Sequence, residues 1–107
     1  MRKWIAGLLI APSVAMAEFW DGNSLLQRMN SDNAHERVQA MGYVMGVHDV
    51  FSKVSVCSPQ NITVGQLRDL VKDYLERNPA IRHYSADSLA VNIMKQTWPC
   101  PSKGRGV

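Results

Sequence analysis

Cysteine is scarce in this sequence: Cys57 and Cys100 are the only two, and they stand far apart. That spacing excludes the C-x-x-C pairs of zinc knuckles and thiol redox motifs. The three histidines, His35, His48 and His83, have no metal-ligand partner three or four residues on, so neither a metal nor any other cofactor is expected. There is no G-x-S-x-G stretch and no glycine-rich loop after a strand, which removes the usual signatures of serine hydrolases and phosphate-binding enzymes. A Cys–His nucleophile would need Cys57 or Cys100 free. Carboxylates four apart, such as Asp69 and Asp73, lie on a charged helix face where water solvates them. The chain is therefore not expected to be an enzyme. Strand-like alternation and internal repeats are missing too, and no apolar run approaches the roughly 20 residues needed to cross a bilayer.

Residues 1–17 read as a secretory signal peptide. Arg2 and Lys3 form a positive n-region, Trp4 to Ala11 are apolar apart from Gly7, and Ala15-Met16-Ala17 offers a small-x-small cleavage site. An uncleaved anchor or a buried first helix is the alternative. Cleavage before Glu18 leaves residues 18–107 as one domain, free of the membrane, with a polar, glycine-rich tail over 102–107 that is expected to fray. The precursor has 12 Lys+Arg against 9 Asp+Glu, and removing Arg2 and Lys3 brings this to 10 against 9. A net charge of +1 without a basic block gives no reason to expect a nucleic-acid or membrane-surface partner.

Helical periodicity accounts for the rest. Leu25, Leu26 and Met29 make a short apolar stripe that Asp21 or Asn23 can cap. Asn33 and Glu36 resemble a capping box opening a long helix from Ala34 to about Ser55. Its apolar line is expected along Val38, Met41, Met45, His48 and Ser52, widened by Val44, Val47, Phe51 and Val54. Thr63 and Gln66 form a second capping box ahead of a helix with Leu67, Leu70, Val71, Tyr74 and Leu75 on one face, ended by Asn78-Pro79. The 79–84 stretch reads as a short helical turn or compact loop. A last helix begins near Ser85, carries Ala86, Leu89, Ala90, Ile93 and Thr97 on one side with Val91, Met94 and Trp98 beside them, and ends at Trp98-Pro99. The predicted fold class is all-α, a small domain of four main helices with short connections.

Cys57 and Cys100 bracket the last two helices. In an exported chain one structural disulfide explains them best, with two buried free thiols as the alternative. Closing a loop of just over forty residues contributes roughly 4 kcal/mol in the chain-entropy description, a large share of the ~5–15 kcal/mol that holds a small domain together.

Two features remain. Gly42 and Gly46 stack on one helix face, each costing about 1 kcal/mol against alanine. Close approach of a neighbouring helix is the expected reason, and a partner or ligand backbone seated there is the alternative. Arg82-His83-Tyr84 concentrates polar and aromatic groups, and Arg82 and Tyr84 are candidate partner contacts because arginine and tyrosine are favoured at binding hot spots. Against that stands a structural role, with Arg82 pairing a carboxylate or capping a helix and His83 hydrogen-bonded inside the domain. Residue by residue, the reading ends at a small exported helical binding or structural protein.

The ordered set Gly42-Tyr43-x-x-Gly46-x-x-Asp49, Cys57-x-Pro59, Thr63-x-Gly65-Gln66-Leu67, Tyr74-Leu75-x-x-x-Pro79, Arg82-His83 and Trp98-Pro99-Cys100 resembles the Rap1a/Tai family, small exported immunity proteins associated with type VI secretion. The resemblance implies a periplasmic, mostly helical protein that binds and blocks an antibacterial effector toxin, in the best-understood branches a peptidoglycan amidase, and that acts as a homodimer. It implies that Cys57 and Cys100 form the family disulfide and that Gly42, Tyr43, Gly46, Asp49, Pro59, Gly65, Gln66, Leu67, Tyr74, Leu75, Pro79, Arg82 and His83 define the fold rather than touch the toxin. Many relatives carry a second cysteine pair at places equivalent to the neighbourhood of Met29 and Ala40. Its joint absence leaves the first helix attached by packing alone. The competing expectation is a periplasmic structural or chaperone-like protein with no dedicated toxin.

Overall fold

The computed structural model describes residues 19–101; the expectations for residues 1–17 and 102–107 lie outside them. Every helix starts where a polar side chain stands before its first turn. Asp21 accepts the Ser24 N–H at 2.8 Å and opens α1 (Gly22–Met29). Asn33 accepts from His35 and Glu36 and opens α2 (Ala34–Phe51). This is half of the expected capping box: the Asn33 N–H donates to Ser31 Oγ instead of Glu36. Thr63 and Gln66 form the full reciprocal box at the start of α3 (Val64–Arg77), with bonds of 2.9 and 3.1 Å. Ser85 occupies the N-cap position of α4 (Ala86–Thr97), but its hydroxyl meets Ser88 Oγ at 2.6 Å and no backbone N–H. Pro79–Ile81 form one 3-10 turn between α3 and α4.

Each helix packs against the other three, giving a four-helix bundle. Leu25, Val44, Val71, Leu75 and Met94, drawn from all four helices, are fully buried at its centre. Burying each such side chain stabilises the fold by about 1.5–3 kcal/mol. Among the described residues the only β-type pairings are isolated bridges.

The face of α2 that points inward differs from the expected one. Ala40 and Val44 are its buried positions, flanked by half-buried Val47, His48 and Phe51. Val38 and Met45, expected in the core, are exposed at 65% and 38%. With valine, methionine or glycine on most sides of the helix, periodicity does not fix its rotation, and packing against three neighbours does. The helix also stops earlier than expected. Lys53 takes a left-handed backbone (φ 68°), and the Phe51 carbonyl accepts the N–H groups of Val54, Ser55 and Val56 in a tight turn. In α4 Met94 is buried, as its place beside the apolar side implies, whereas Thr97, expected on that side, faces outward and returns its hydroxyl to the Ile93 carbonyl.

Backbone bonds, and not packing alone, hold α1 in place. Gly22 N–H donates to the Tyr84 carbonyl and Asn23 N–H to the Arg82 carbonyl, both at 3.0 Å, and Ala86 N–H donates to the Trp20 carbonyl at 2.9 Å. These bonds link the start of α1 to the start of α4. They require a bare backbone at Gly22, where a Cβ would stand 2.7 Å from Leu89 Cδ1 and 2.9 Å from the Arg82 carbonyl oxygen. Met29 and Ala40, near the places of the absent second cysteine pair, are both buried and fill the core with apolar atoms.

Cys57 and Cys100 are joined in a disulfide across 43 residues, their Cα atoms 4.9 Å apart. Their approach follows from the backbone: Cys57 N–H donates to the Trp98 carbonyl at 2.8 Å, and buried Val56 bridges Pro99. The α3–α4 hairpin is thereby closed at its open end.

Candidate functional site

The Gly42–Asp49 motif of α2 divides between an inner and an outer role. Tyr43 lies along the flank, its ring stacked on Trp20 at 4.9 Å between centroids, and the Arg28 guanidinium sits 4.3 Å above the Trp20 ring. Partial burial, and after it the nearby Asp87 carboxylate, push the Tyr43 hydroxyl above the usual phenol range. Gly42 and Gly46 face outward, and a Cβ at either would meet nothing within 4 Å. This corrects the expected helix contact: among the described residues no neighbouring helix covers the two glycines.

Asp49 and His48 form a line with Ser58 that neither periodicity nor motif spacing suggested. His48 Nε2 lies 2.7 Å from Ser58 Oγ, and His48 Nδ1 lies 3.5 Å from Asp49 Oδ1. The order of groups is that of a hydrolase triad, but the acid that orients a triad histidine is buried and close. Here the Asp49 side chain is 76% exposed and sits at the outer limit of contact. The short Ser58 bond instead braces the end of α2 against the loop leading from Cys57. A histidine ten residues from a serine across a helix end carries no recognisable spacing, which is why the contact was not legible.

The remaining motif residues fall mostly in the frame. Leu67 and Leu75 are core residues. Tyr74 is half-buried, and its hydroxyl accepts from the Asn92 amide at 3.1 Å, linking α3 to α4. Gln66 completes the α3 box, and Pro59 and Pro79 are exposed at the edges of loops. Gly65 leaves room: a Cβ there would stand 3.7 Å from the Arg68 guanidinium, an ordinary contact.

The Arg82–Tyr84 segment is pinned by its backbone and turns its rings outward. His83 is exposed and packs against Tyr84, 4.2 Å between ring centroids, instead of bonding inside the domain. Arg82 makes neither the carboxylate pair nor the side-chain cap expected of a structural role; its carbonyl accepts from Asn23 N–H, and its Nε is buried with no hydrogen-bond partner among the described residues. Tyr84 is 55% exposed and walls an open groove along α4 with Ser88, Asn92 and Lys95. Phenol, hydroxyl, amide and ammonium groups there suit hydrogen bonding to a protein surface.

A second surface is apolar. Val38, Val50 and Val54 are each more than half exposed, and a shallow depression that includes Val50 is lined by Tyr43, Gly46, Val47 and Phe51, with the Asp87 carboxylate at its edge. Along α3, Arg77 holds Asp73 at 2.7 Å and keeps its carboxyl below the usual range. Among the described residues no group of three or more His, Cys, Asp or Glu side chains could hold a metal ion, and no helix is long and apolar enough to cross a membrane.

No curated protein matches this sequence. A family model does: that of the Rap1a immunity proteins, over residues 21–100, a span that takes in all four helices and both cysteines. This chain therefore belongs to the Rap1a immunity-protein family, a family of periplasmic, non-catalytic immunity proteins linked to type VI secretion.

Proposed function

We propose that this chain, exported by cleavage of residues 1–17, binds a cognate type VI secretion effector in the periplasm and blocks it sterically. The family match across residues 21–100 carries the reading. By likeness to the best-understood branches, the effector is a peptidoglycan amidase and the immunity protein works as a homodimer. Steric blocking asks no chemistry of the inhibitor. It asks for a rigid edge that fills a cleft, and a bundle stapled at Cys57–Cys100 and bonded from α1 to α4 supplies one.

The contact we assign to the effector is the Arg82–Tyr84 edge with the groove beside it. Tyr84 offers a broad ring with a hydroxyl at low entropic cost, the kind of residue that dominates binding energies. A stable contact buries about 1,200–2,000 Å² in total, so Ser88, Asn92 and Lys95 would be covered as well.

The other reading is a chaperone-like periplasmic protein, favoured by the exposed valines of α2. Capture by the oxidised, exported protein from cells carrying its neighbouring genes separates the two. The immunity reading expects one hydrolase in stoichiometric amount, lost with Tyr84→Ala. Many unrelated clients, or none, would count against it.

A further inference from the structure

We infer that the groove along α4 takes an acidic peptide segment, with the carboxylate of an Asp or Glu seated on Lys95 and an adjoining apolar side chain laid against Tyr84. The inference rests on the effector contact assigned above and names the chemistry that the effector brings to it.

Among the described residues Lys95 is the one charged side chain lining the groove, beside Tyr84, Ser88, Leu89, Val91 and Asn92. Its ammonium has no counterpart in the described bundle, whose acid–base pairs join His48 to Asp49, Arg68 to Asp69 and Arg77 to Asp73. The carboxylates that flank the start of α4 are engaged elsewhere. Asp21 accepts the Ser24 N–H at 2.8 Å, and Asp87 accepts the Ser88 N–H at 2.9 Å and lines the depression beside Tyr43. A lysine in the last turn complements the negative end of the helix dipole. That end is only a partial charge, and the ammonium keeps donors to spare.

The hydrogen-bonding groups lean the same way. Asn92 gives an amide N–H to the Tyr74 hydroxyl at 3.1 Å, which leaves its carbonyl oxygen and one N–H for a partner backbone. The Ser85 and Ser88 hydroxyls bond each other at 2.6 Å and retain one hydrogen between them. The groove thus offers donors, one of them fully charged, and no anionic acceptor. An ionised carboxylate, which only accepts, is the side chain that fits.

The ligand is a peptide because the rest of the groove is apolar. Leu89 is buried and Val91 half-buried beneath it, and the Tyr84 ring forms one wall. A phosphate polymer is held by several cations, and this groove has one. Nor do the flanking segments of this chain match it. Residues 102–107 hold Lys103 and Arg105 and no acidic residue, and Glu18 is the one acidic residue ahead of Phe19.

The test pans the exported, oxidised protein against short random peptides displayed on phage. Enriched peptides are then titrated by fluorescence anisotropy, with circular dichroism to confirm that each variant is folded. They should carry Asp or Glu beside an aromatic or aliphatic residue, and replacing that acid by its amide should weaken binding at least about tenfold. Lys95→Glu should weaken it by at least the same factor. Lys95→Arg should stay within about threefold of the wild type, and so should Lys72→Glu, the same charge change placed on α3. Enriched peptides without acids, or no enrichment at all, overturn the inference. So does an acidic peptide that binds Lys95→Glu as tightly as the wild type, a loss as large in Lys72→Glu, or displacement by single-stranded DNA of equal charge. Binding that appears only in Glu18→Gln assigns the groove to this chain's own start and overturns it too. Survival of attacked cells is measured beside these titrations. If Lys95→Glu still protects and no acidic peptide is selected, the immunity reading stands without this inference. Acidic peptides bound through Lys95 by a protein that protects nothing give the reverse.

Discussion

Gly22 faces Arg82 so closely that a Cβ on the glycine would lie 2.9 Å from the arginine carbonyl oxygen, the same oxygen that accepts the Asn23 N–H. Leu89 can turn its methyl aside, but the carbonyl is fixed by that bond. Gly22→Ala is therefore predicted to destabilise the domain by about 1–3 kcal/mol, the usual cost of overpacking. The control is Gly65→Ala, whose Cβ would enter ordinary contact, and which should leave urea-melt stability unchanged or slightly raised.

The disulfide closes a loop of 43 residues. Its removal by Cys57→Ser is predicted to cost roughly 4 kcal/mol, which lowers Tm by well over 10 °C in a domain of this size. Reduction of the wild type should give the same melting curve as the variant. Coincident curves for oxidised and reduced protein would contradict the staple.

Cap geometry predicts unequal effects from similar substitutions. Thr63→Ala breaks a reciprocal box and should cost about 1 kcal/mol. Ser85→Ala removes a hydroxyl that bonds only Ser88 Oγ, and its effect in the same denaturant titration should be within a few tenths of a kcal/mol.

Acid stability should depend on two carboxylates. The Ser24 N–H bond holds Asp21 below the ordinary carboxylate range, and Arg77 does the same for Asp73. A carboxyl depressed in the folded state adds stability at pH values above its unfolded pKa, near 4, and loses it as pH falls through the lower folded value. Stability should therefore decline below about pH 4. The decline should be shallower in Asp21→Asn/Asp73→Asn, where asparagine keeps the α1 cap without the charge. Equal slopes in both proteins between pH 4 and 2 would exclude these two groups as the cause.

The sequence disclosed the helices because their signals are local: Thr63 with Gln66, Asn78 before Pro79, and the stripe of Leu67, Val71 and Leu75 all lie within a few turns. It disclosed the disulfide because two cysteines leave one pairing. It did not disclose the rotation of α2, where Val38 and Val44 are equivalent to any measure of apolarity and opposite in the fold. Nor did it reveal that the glycine under close approach is Gly22, since its neighbours Arg82 and Leu89 come from the far end of the chain. His48 and Ser58 escaped notice for the same reason. In the candidate site, Tyr84 stood out in the sequence only as a candidate contact, and its exposure, like that of the outer positions of α2, emerged once the rest of the described bundle was in place.

An immunity protein shields the cell that exports it from a secreted toxin. Its most direct measurement is survival of sensitive cells under attack by a type VI-armed competitor carrying the cognate effector, with the protein expressed with or without residues 1–17. Survival is expected only with the leader present, and should be abolished by Tyr84→Ala in protein that remains folded. Equal killing of cells with and without the exported protein would contradict it.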